Sequence, residues 1–428
     1  MLPKIDWDFA RADIHFATHG LHPYPARMIP QIARRLIEMY SLPGDKVLDP
    51  FCGSGGVLVE SMLRGRDSFG IDINPLACLL ARVKSTPIDP ELLMSYWEKL
   101  RAGIEKDIIA ARFKQIKVKV PDFSGTNIEY WFKPYMIEEL LIIKRHLDEI
   151  GKEANLGTKK IREFFNVCFS NTVRVVSGAK KREFKLYRMP KEKWKKYRPN
   201  VFEVFKNRVN DSIRRMGEFY ELFMGNSLKA KAEVFEADTR KMFTKEFPEE
   251  ARRQLHEESI DLVVTSPPYG DSRTTVAYGQ FSRYSLIWLG FDKKVISEID
   301  KKSLGGNTRE KNLDSKILID VLSRISEKRA ADVKSYFVDI EECLDKIYKV
   351  VKNGGHACFV LGNRTVNRMK IPTDEIIVEL GSRYGFDHVA TFHRRIPSKR
   401  IPWKSSPTNI PGQKVETISK ENIIVLRK

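Results

Sequence analysis

The sequence predicts an α/β protein in which a doubly wound sheet is interrupted by a large, mainly helical insertion. Three observations carry this. The first is two strand-to-helix steps near the amino terminus. Val47–Leu48 ends at Asp49, turns through Gly53 and Gly55 and enters a helix at Gly56–Leu63; Ser68–Ile73 carries Asp72 at its end and leads into Pro75–Lys84. The second is the β-branched run Ile260–Val264, stopped by Pro267 and Pro268, which lack the N–H a sheet ladder needs. The third is the stretch between them, where the strand rhythm lapses and residues 91–113, 134–150 and 200–224 carry helical spacing.

Composition narrows the function. The 428 residues carry a net charge of +19, which favours polyanionic partners, nucleic acid first. Cys52, Cys78, Cys168, Cys343 and Cys358 are scattered, with no CxxC pair and no metal-like cluster with the eight histidines. Reduced thiols, a cytoplasmic location and no metal are therefore expected. No apolar run approaches membrane-spanning length. Abundant Lys, Arg and Glu hint at a thermophilic source.

In chain order, His19–Pro30 is a rigid Pro-Tyr-Pro entry to a helix over Gln31–Tyr40, with Pro30 suited to its first turn. The glycines of Asp49–Gly55 let the backbone turn sharply and approach a ligand. A dinucleotide fingerprint is weakened because its third glycine would fall at Leu58, and no Gly-Lys-Ser/Thr phosphate loop follows. Asp72, about 20 residues on, suits the hydroxyls of a bound ribose, with a helix cap as the plain structural alternative. Between Lys159 and Arg198 stand 14 Lys or Arg against 3 Asp or Glu, interleaved with Phe164, Phe165, Phe169, Phe184, Tyr187, Trp194 and Tyr197. Such a stretch suits phosphates and unpaired bases, or else a solvated face over a small core. Further on, Ala232–Ala237 is a strand ending at Asp238, Asp300–Arg329 is a charged, mobile surface segment, and Val333–Val351 is a helix. Gly354-Gly355 precedes a strand at His356–Leu361. A helix near Thr373–Tyr384 and strands at Val389–Phe392 and Ile423–Leu426 complete the chain, with a basic loop, Arg394–Lys404, between the last two.

Two motifs carry a resemblance. Asp-Pro-Phe-Cys-Gly-Ser-Gly at 49–55 and Ser-Pro-Pro-Tyr at 266–269 resemble the cofactor and catalytic motifs of S-adenosylmethionine-dependent amino-methyltransferases, the Ser-Pro-Pro-Tyr form being that of enzymes acting on cytosine N4. Adenine N6 enzymes more often begin that motif with Asp or Asn. The resemblance implies a Rossmann-like class I methyltransferase sheet of seven strands with the last antiparallel. It implies that S-adenosylmethionine is held by Tyr24, Pro25, Asp49, Phe51, Gly53, Ser54, Gly55, Asp72, Ile73, Asn74 and Asp238, with the His19–Pro30 segment packed against its methionine end. It further implies catalysis at Ser266, Pro267, Pro268 and Tyr269: the serine and the Pro267 carbonyl would orient an exocyclic amine, and the ring would stack on the base. The chain has no Pro-Cys dipeptide, the nucleophile motif of ring-carbon cytosine methyltransferases.

Residues 1–85 are expected to form the cofactor half of the methyltransferase domain and 231–428 the catalytic half. Residues 86–230 would be a basic insertion for nucleic-acid recognition. Lys159, Lys160, Arg174, Lys180, Lys181, Arg182, Lys185 and Arg188, with Arg394, Arg395, Lys399 and Arg400 near the carboxyl terminus, are the candidate contacts. The substrate is expected to be DNA or structured RNA such as ribosomal RNA. An adenine N6 enzyme, a non-catalytic nucleic-acid binder on the same fold and a nicotinamide-dependent dehydrogenase are the rival readings.

Overall fold

A computed structural model describes residues 6–151, 156–180, 184–226, 229–271, 275–396, 404–405, 415–416 and 418–428. Seven strands form the main sheet: β1 (Lys46–Asp49), β2 (Asp67–Asp72), β3 (Ala232–Glu236), β4 (Ile260–Thr265), β5 (Val351–Leu361), β6 (Asp387–Arg395) and β7 (Lys420–Arg427). Their spatial order is β3-β2-β1-β4-β5-β7-β6, and β7 runs antiparallel to both neighbours. This is the Rossmann-like methyltransferase sheet with its antiparallel last strand. The order reverses between β1 and β4, so the loops leaving those two strands face each other across the sheet edge where open α/β folds bind ligands.

Strand periodicity sets the two faces. In β5, Cys358 and Val360 face one side while Ala357, Phe359 and Leu361 face the other; β7 alternates likewise with Ile423 and Val425 against Ile424 and Leu426. The first face is covered by α1 (Pro30–Tyr40) through Ile32, Leu36 and Ile37, together with Val57 and Leu58 of α2 (Gly56–Met62). The second is covered by the helices Glu327–Val350 and Thr373–Tyr384. α3 (Pro75–Lys84) turns Leu76, Leu79, Leu80 and Val83 toward a third core, that of the insertion.

The insertion is helical: α4 (Pro90–Arg112), α5 (Pro134–Glu149), α6 (Leu156–Val176) and α7 (Val201–Met224). Phe164, Phe165 and Phe169 are wholly buried on α6, and Trp97 meets Phe205 edge-on at 5.6 Å. Of the two uses open to these phenylalanines, packing is the one realised. The same core takes in Phe281, Tyr284 and Trp288 of α8 (Tyr278–Trp288), the helix that follows the β4 loop. Asn171 on α6 donates to the Leu21 carbonyl, and Ser170 meets His22 Nε2 at 3.0 Å, so the insertion is anchored to the His19–Pro30 segment.

Two expectations fail. Residues 300–329 are not a mobile segment: they carry the end of helix α9 (Lys293–Lys302) and helix α10 (Lys316–Ser323), with Leu304, Leu318 and Val321 buried. Their charges are paired, Arg309 with Asp339 and Lys311 with Glu341, both acids on the helix Glu327–Val350. Gly354 and Gly355 lie inside β5 rather than before it. They form an irregularity against β4 in which a side chain on Gly355 would come within 2.8 Å of the Asp261 carbonyl oxygen.

Candidate active site

Local chemistry builds the cofactor turn. Gly53 and Gly55 have φ of +48° and +81°, a region that favours glycine. A Cβ on Gly55 would stand 2.7 Å from the Ala81 Cα, so α3 closes on the turn only because no side chain is present there; one on Gly53 would touch the Tyr24 ring at 3.4 Å. Asp72, at the end of β2, accepts hydrogen bonds from Gly53 N (3.0 Å) and Asn74 N (2.8 Å). Burial pushes its carboxyl up to about 6, although those two N–H donors pull the other way.

The catalytic corner is tied to this turn. Thr265, the last residue of β4, donates to Asp49 Oδ1 at 2.6 Å, and Phe51 N donates to the same oxygen at 3.1 Å. Burial pushes Asp49 up to about 7. Thr239, just past β3, donates to the Pro50 carbonyl at 2.6 Å. Beyond Thr265, Tyr336 donates to the Pro268 carbonyl at 2.7 Å, while Tyr269 donates to Glu421 at 2.8 Å. Because the carboxylate only accepts, the tyrosine hydroxyl must donate to it, and the 3.4 Å contact from Ser266 Oγ is a weak donation to the tyrosine oxygen. The serine lone pairs are left for another donor.

One cleft joins these parts. It holds about 1200 Å³ of non-protein space, its open mouth included. Its walls bring together Tyr24, Pro25, Asp49, Phe51, Gly53, Ser54, Asp72, Ile73, Asn74 and Asp238 with Ser266 and Pro268. Gly55, Pro267 and Tyr269 are not among the lining residues; Gly55 faces Ala81, and Tyr269 packs beside Gly362 with its hydroxyl on Glu421. Asn74 serves the structure as well, capping α3 and donating to Tyr24 and Ser282. Asp238 does what a cap does: its carboxylate accepts from Arg240 N and grips the Arg240 guanidinium at 2.6 Å. Sequence reasoning missed Thr265, Thr239 and Arg27, which hold or line the cleft.

The basic candidates divide. Lys159, Lys160, Lys180 and Arg395 are exposed, and Lys185 is half-buried. Arg188 is stacked on Tyr130 at 3.7 Å, with Trp194 at 5.2 Å. Two assignments are corrected. Arg174 lies over the Phe281 ring at 3.7 Å and donates to the Phe281 carbonyl, so it fastens α6 to α8. Arg394 is buried and paired with Glu421 at 2.6 Å, so it braces Tyr269 from behind. Lys181, Arg182, Lys399 and Arg400 lie outside the described residues.

Residues 7–82 match the family described as DNA methylase (N6_N4_Mtase). The chain is also similar to the Type II methyltransferase M.MvaI of Kocuria varians, 38% identical over 430 residues that cover 96% of this chain and 91% of the relative. The chain belongs to the DNA methylase family. A second relative of this DNA methylase, the Type II methyltransferase M.BsoBI of Geobacillus stearothermophilus, is 21% identical over 89% of this chain and 81% of its own. The Type II methyltransferase M.MjaII of Methanocaldococcus jannaschii is 40% identical over 95 residues, 21% of this chain and 18% of that relative. The methylase is an S-adenosylmethionine-dependent nucleic-acid methyltransferase. The cleft fits that cofactor: glycines admit close backbone approach and the half-buried Asp72 carboxylate borders the turn. Among the described residues, no helix is long and apolar enough to cross a membrane, and no cluster of three or more His, Cys, Asp or Glu is arranged to hold a metal ion.

Proposed function

We propose that this chain methylates the exocyclic N4 amine of cytosine in DNA. The observation that carries the reading is the single cleft in which Ser266 and Pro268 share walls with Asp49, Gly53 and Asp72. A serine at the first position of the loop supports cytosine over adenine, and the similarity to Type II methyltransferases supports DNA over RNA.

S-adenosylmethionine supplies an electrophilic methyl group when bound. Asp72 is assigned to the ribose hydroxyls, with Tyr24, Pro25, Phe51, Gly53, Ser54, Ile73 and Asn74 around the rest; Gly55 acts by letting α3 close and Asp49 by holding the turn. Asp238 would reach the adenine amine only from its grip on Arg240. The cytosine amine is a weak nucleophile because its lone pair is delocalised into the ring. Ser266 Oγ and the Pro267 carbonyl would accept from the two N–H groups, favour a pyramidal nitrogen and aim its lone pair across the cleft. The Pro268 carbonyl is already engaged by Tyr336 and acts by holding the loop. Tyr269, fixed by Glu421, is assigned the stacking contact. Duplex DNA requires the base to be turned out of the helix. The 86–230 insertion, with exposed Lys159, Lys160 and Lys180, is assigned the duplex contact, and Arg395 a second one.

The test is methyl transfer to DNA with labelled cofactor, followed by digestion to nucleosides. Label in N4-methylcytosine is the expected result. Label in N6-methyladenine would reject the base assignment and keep the enzyme class.

A further inference from the structure

Lys84 closes α3 and is only 1% exposed, yet it lines the cleft. Its own carbonyl accepts from Thr18, but among the described residues no acceptor reaches its ammonium group. The charges around it do not help. Arg27, also a cleft residue, acts against its protonation, and His19 is bonded to Glu60. Glu60 is itself committed to His19, Arg34 and Arg64. A buried cation without a counter-charge is costly, and burial with Arg27 holds the Lys84 amine well below the usual lysine range. An apolar residue would pack better, so what offsets that cost is to be sought in the cleft.

The fold gives the direction. Ala81 is packed against Gly55, and Lys84 lies three residues further on the same helical face. Helical side chains lean toward the helix amino terminus, so Lys84 reaches back toward the glycine turn. Asp72 marks the ribose side of the cleft, while the cations Arg27 and Lys84 line it close to His19, whose ring burial holds below the usual imidazole range. S-adenosylmethionine carries one anionic group, the α-carboxylate of its methionyl tail. We propose that Lys84, with Arg27 beside it, is the counter-ion for that carboxylate and fixes the tail so that the sulfonium faces Ser266.

The assignment rests on the cofactor reading, and calorimetry on the full chain separates the two. S-adenosylhomocysteine carries the carboxylate; 5′-methylthioadenosine keeps the adenine, ribose and thioether but lacks the amino-acid head. Lys84→Met should weaken S-adenosylhomocysteine on the order of 10- to 100-fold, the range for a charge-assisted hydrogen bond, and leave methylthioadenosine essentially unchanged. Lys84→Arg should retain most of the affinity for the carboxylate ligand. The melting temperature of the free Lys84→Met protein should not fall, because an unpaired buried charge has been removed. Equal weakening of both ligands, or no weakening of either, would overturn the proposal. Should Lys84→Met fail to fold, wild-type protein decides with decarboxylated S-adenosylmethionine. Binding much weaker than that of S-adenosylmethionine is expected, and equal binding overturns the assignment. Wild-type protein that bound none of these ligands would overturn the cofactor reading itself.

Discussion

Thr265 Oγ1 and Asp49 Oδ1 are 2.6 Å apart, and this one hydrogen bond joins the end of β4 to the end of β1 across the point where the strand order reverses. The partner is a buried carboxyl, so the bond is worth more than a neutral one. Thr265→Val keeps the shape and removes the donor. It should cost about 1.5–3 kcal/mol in denaturant unfolding, raise KM for the cofactor and lower kcat together. Thr265→Ser should restore most of each.

The two raised carboxyls set a pH signature. Asp72 and Asp49 stand near 6 and 7 in the folded chain against an ordinary value of 3.8. Between those limits the folded state binds more protons than the unfolded one, so the stability of the free protein falls as pH rises from the ordinary value through 7. Cofactor affinity should move oppositely. Asp72 must be ionised to accept both ribose hydroxyls, so binding is full above about pH 7 and weakens as pH drops through 6. Calorimetric titrations across this window check the sign, and Asp72→Asn should flatten the dependence while weakening binding throughout.

At the corner itself, Ser266→Ala should lower kcat by about 100-fold, the scale of a lost transition-state hydrogen bond. Its effect on melting should be small, since Ser266 makes only the long 3.4 Å contact. Tyr269→Phe keeps the ring but removes its hydrogen bond to Glu421, which stays paired with Arg394. A fall in kcat of about tenfold is expected. Tyr269→Ala should be far worse. Equal rates for the two variants would show that the ring is not used.

Gly55→Ala is predicted to fail for packing reasons. The added carbon would sit 2.7 Å from the Ala81 Cα at a φ of +81°, so α3 must shift. A loss of about 2 kcal/mol or more is expected, read by thermal melting, with cofactor binding impaired. Gly44, with a similar φ of +92° but open space around it, should cost only the backbone term of about 1 kcal/mol.

The parts of this fold legible in the sequence are those written locally. Gly53 and Gly55 mark a turn, Asp72 marks a strand end, and Pro267-Pro268 end β4, because each acts within a few residues of itself. What was not legible depends on partners far away in sequence. Arg394 counted as free charge until Glu421 came beside it, and Arg309 and Lys311 counted as mobile until Asp339 and Glu341 met them. Helix α6 was hidden by its lysines and arginines, although Ile161, Phe164, Phe165, Cys168 and Phe169 carry its period. Lys84 left a trace of the same kind: it falls four residues after Leu80 on the buried side of α3, where a charge is out of place.

The most direct measurement is a crystal structure of the full chain with S-adenosylhomocysteine and a target duplex. The account predicts the sulfur between Gly53 and Ser266, the ribose on Asp72, and a cytosine N4 within about 3–4 Å of where the methyl group would stand. A cofactor bound outside this cleft, or a flipped base that does not meet Ser266, would contradict it.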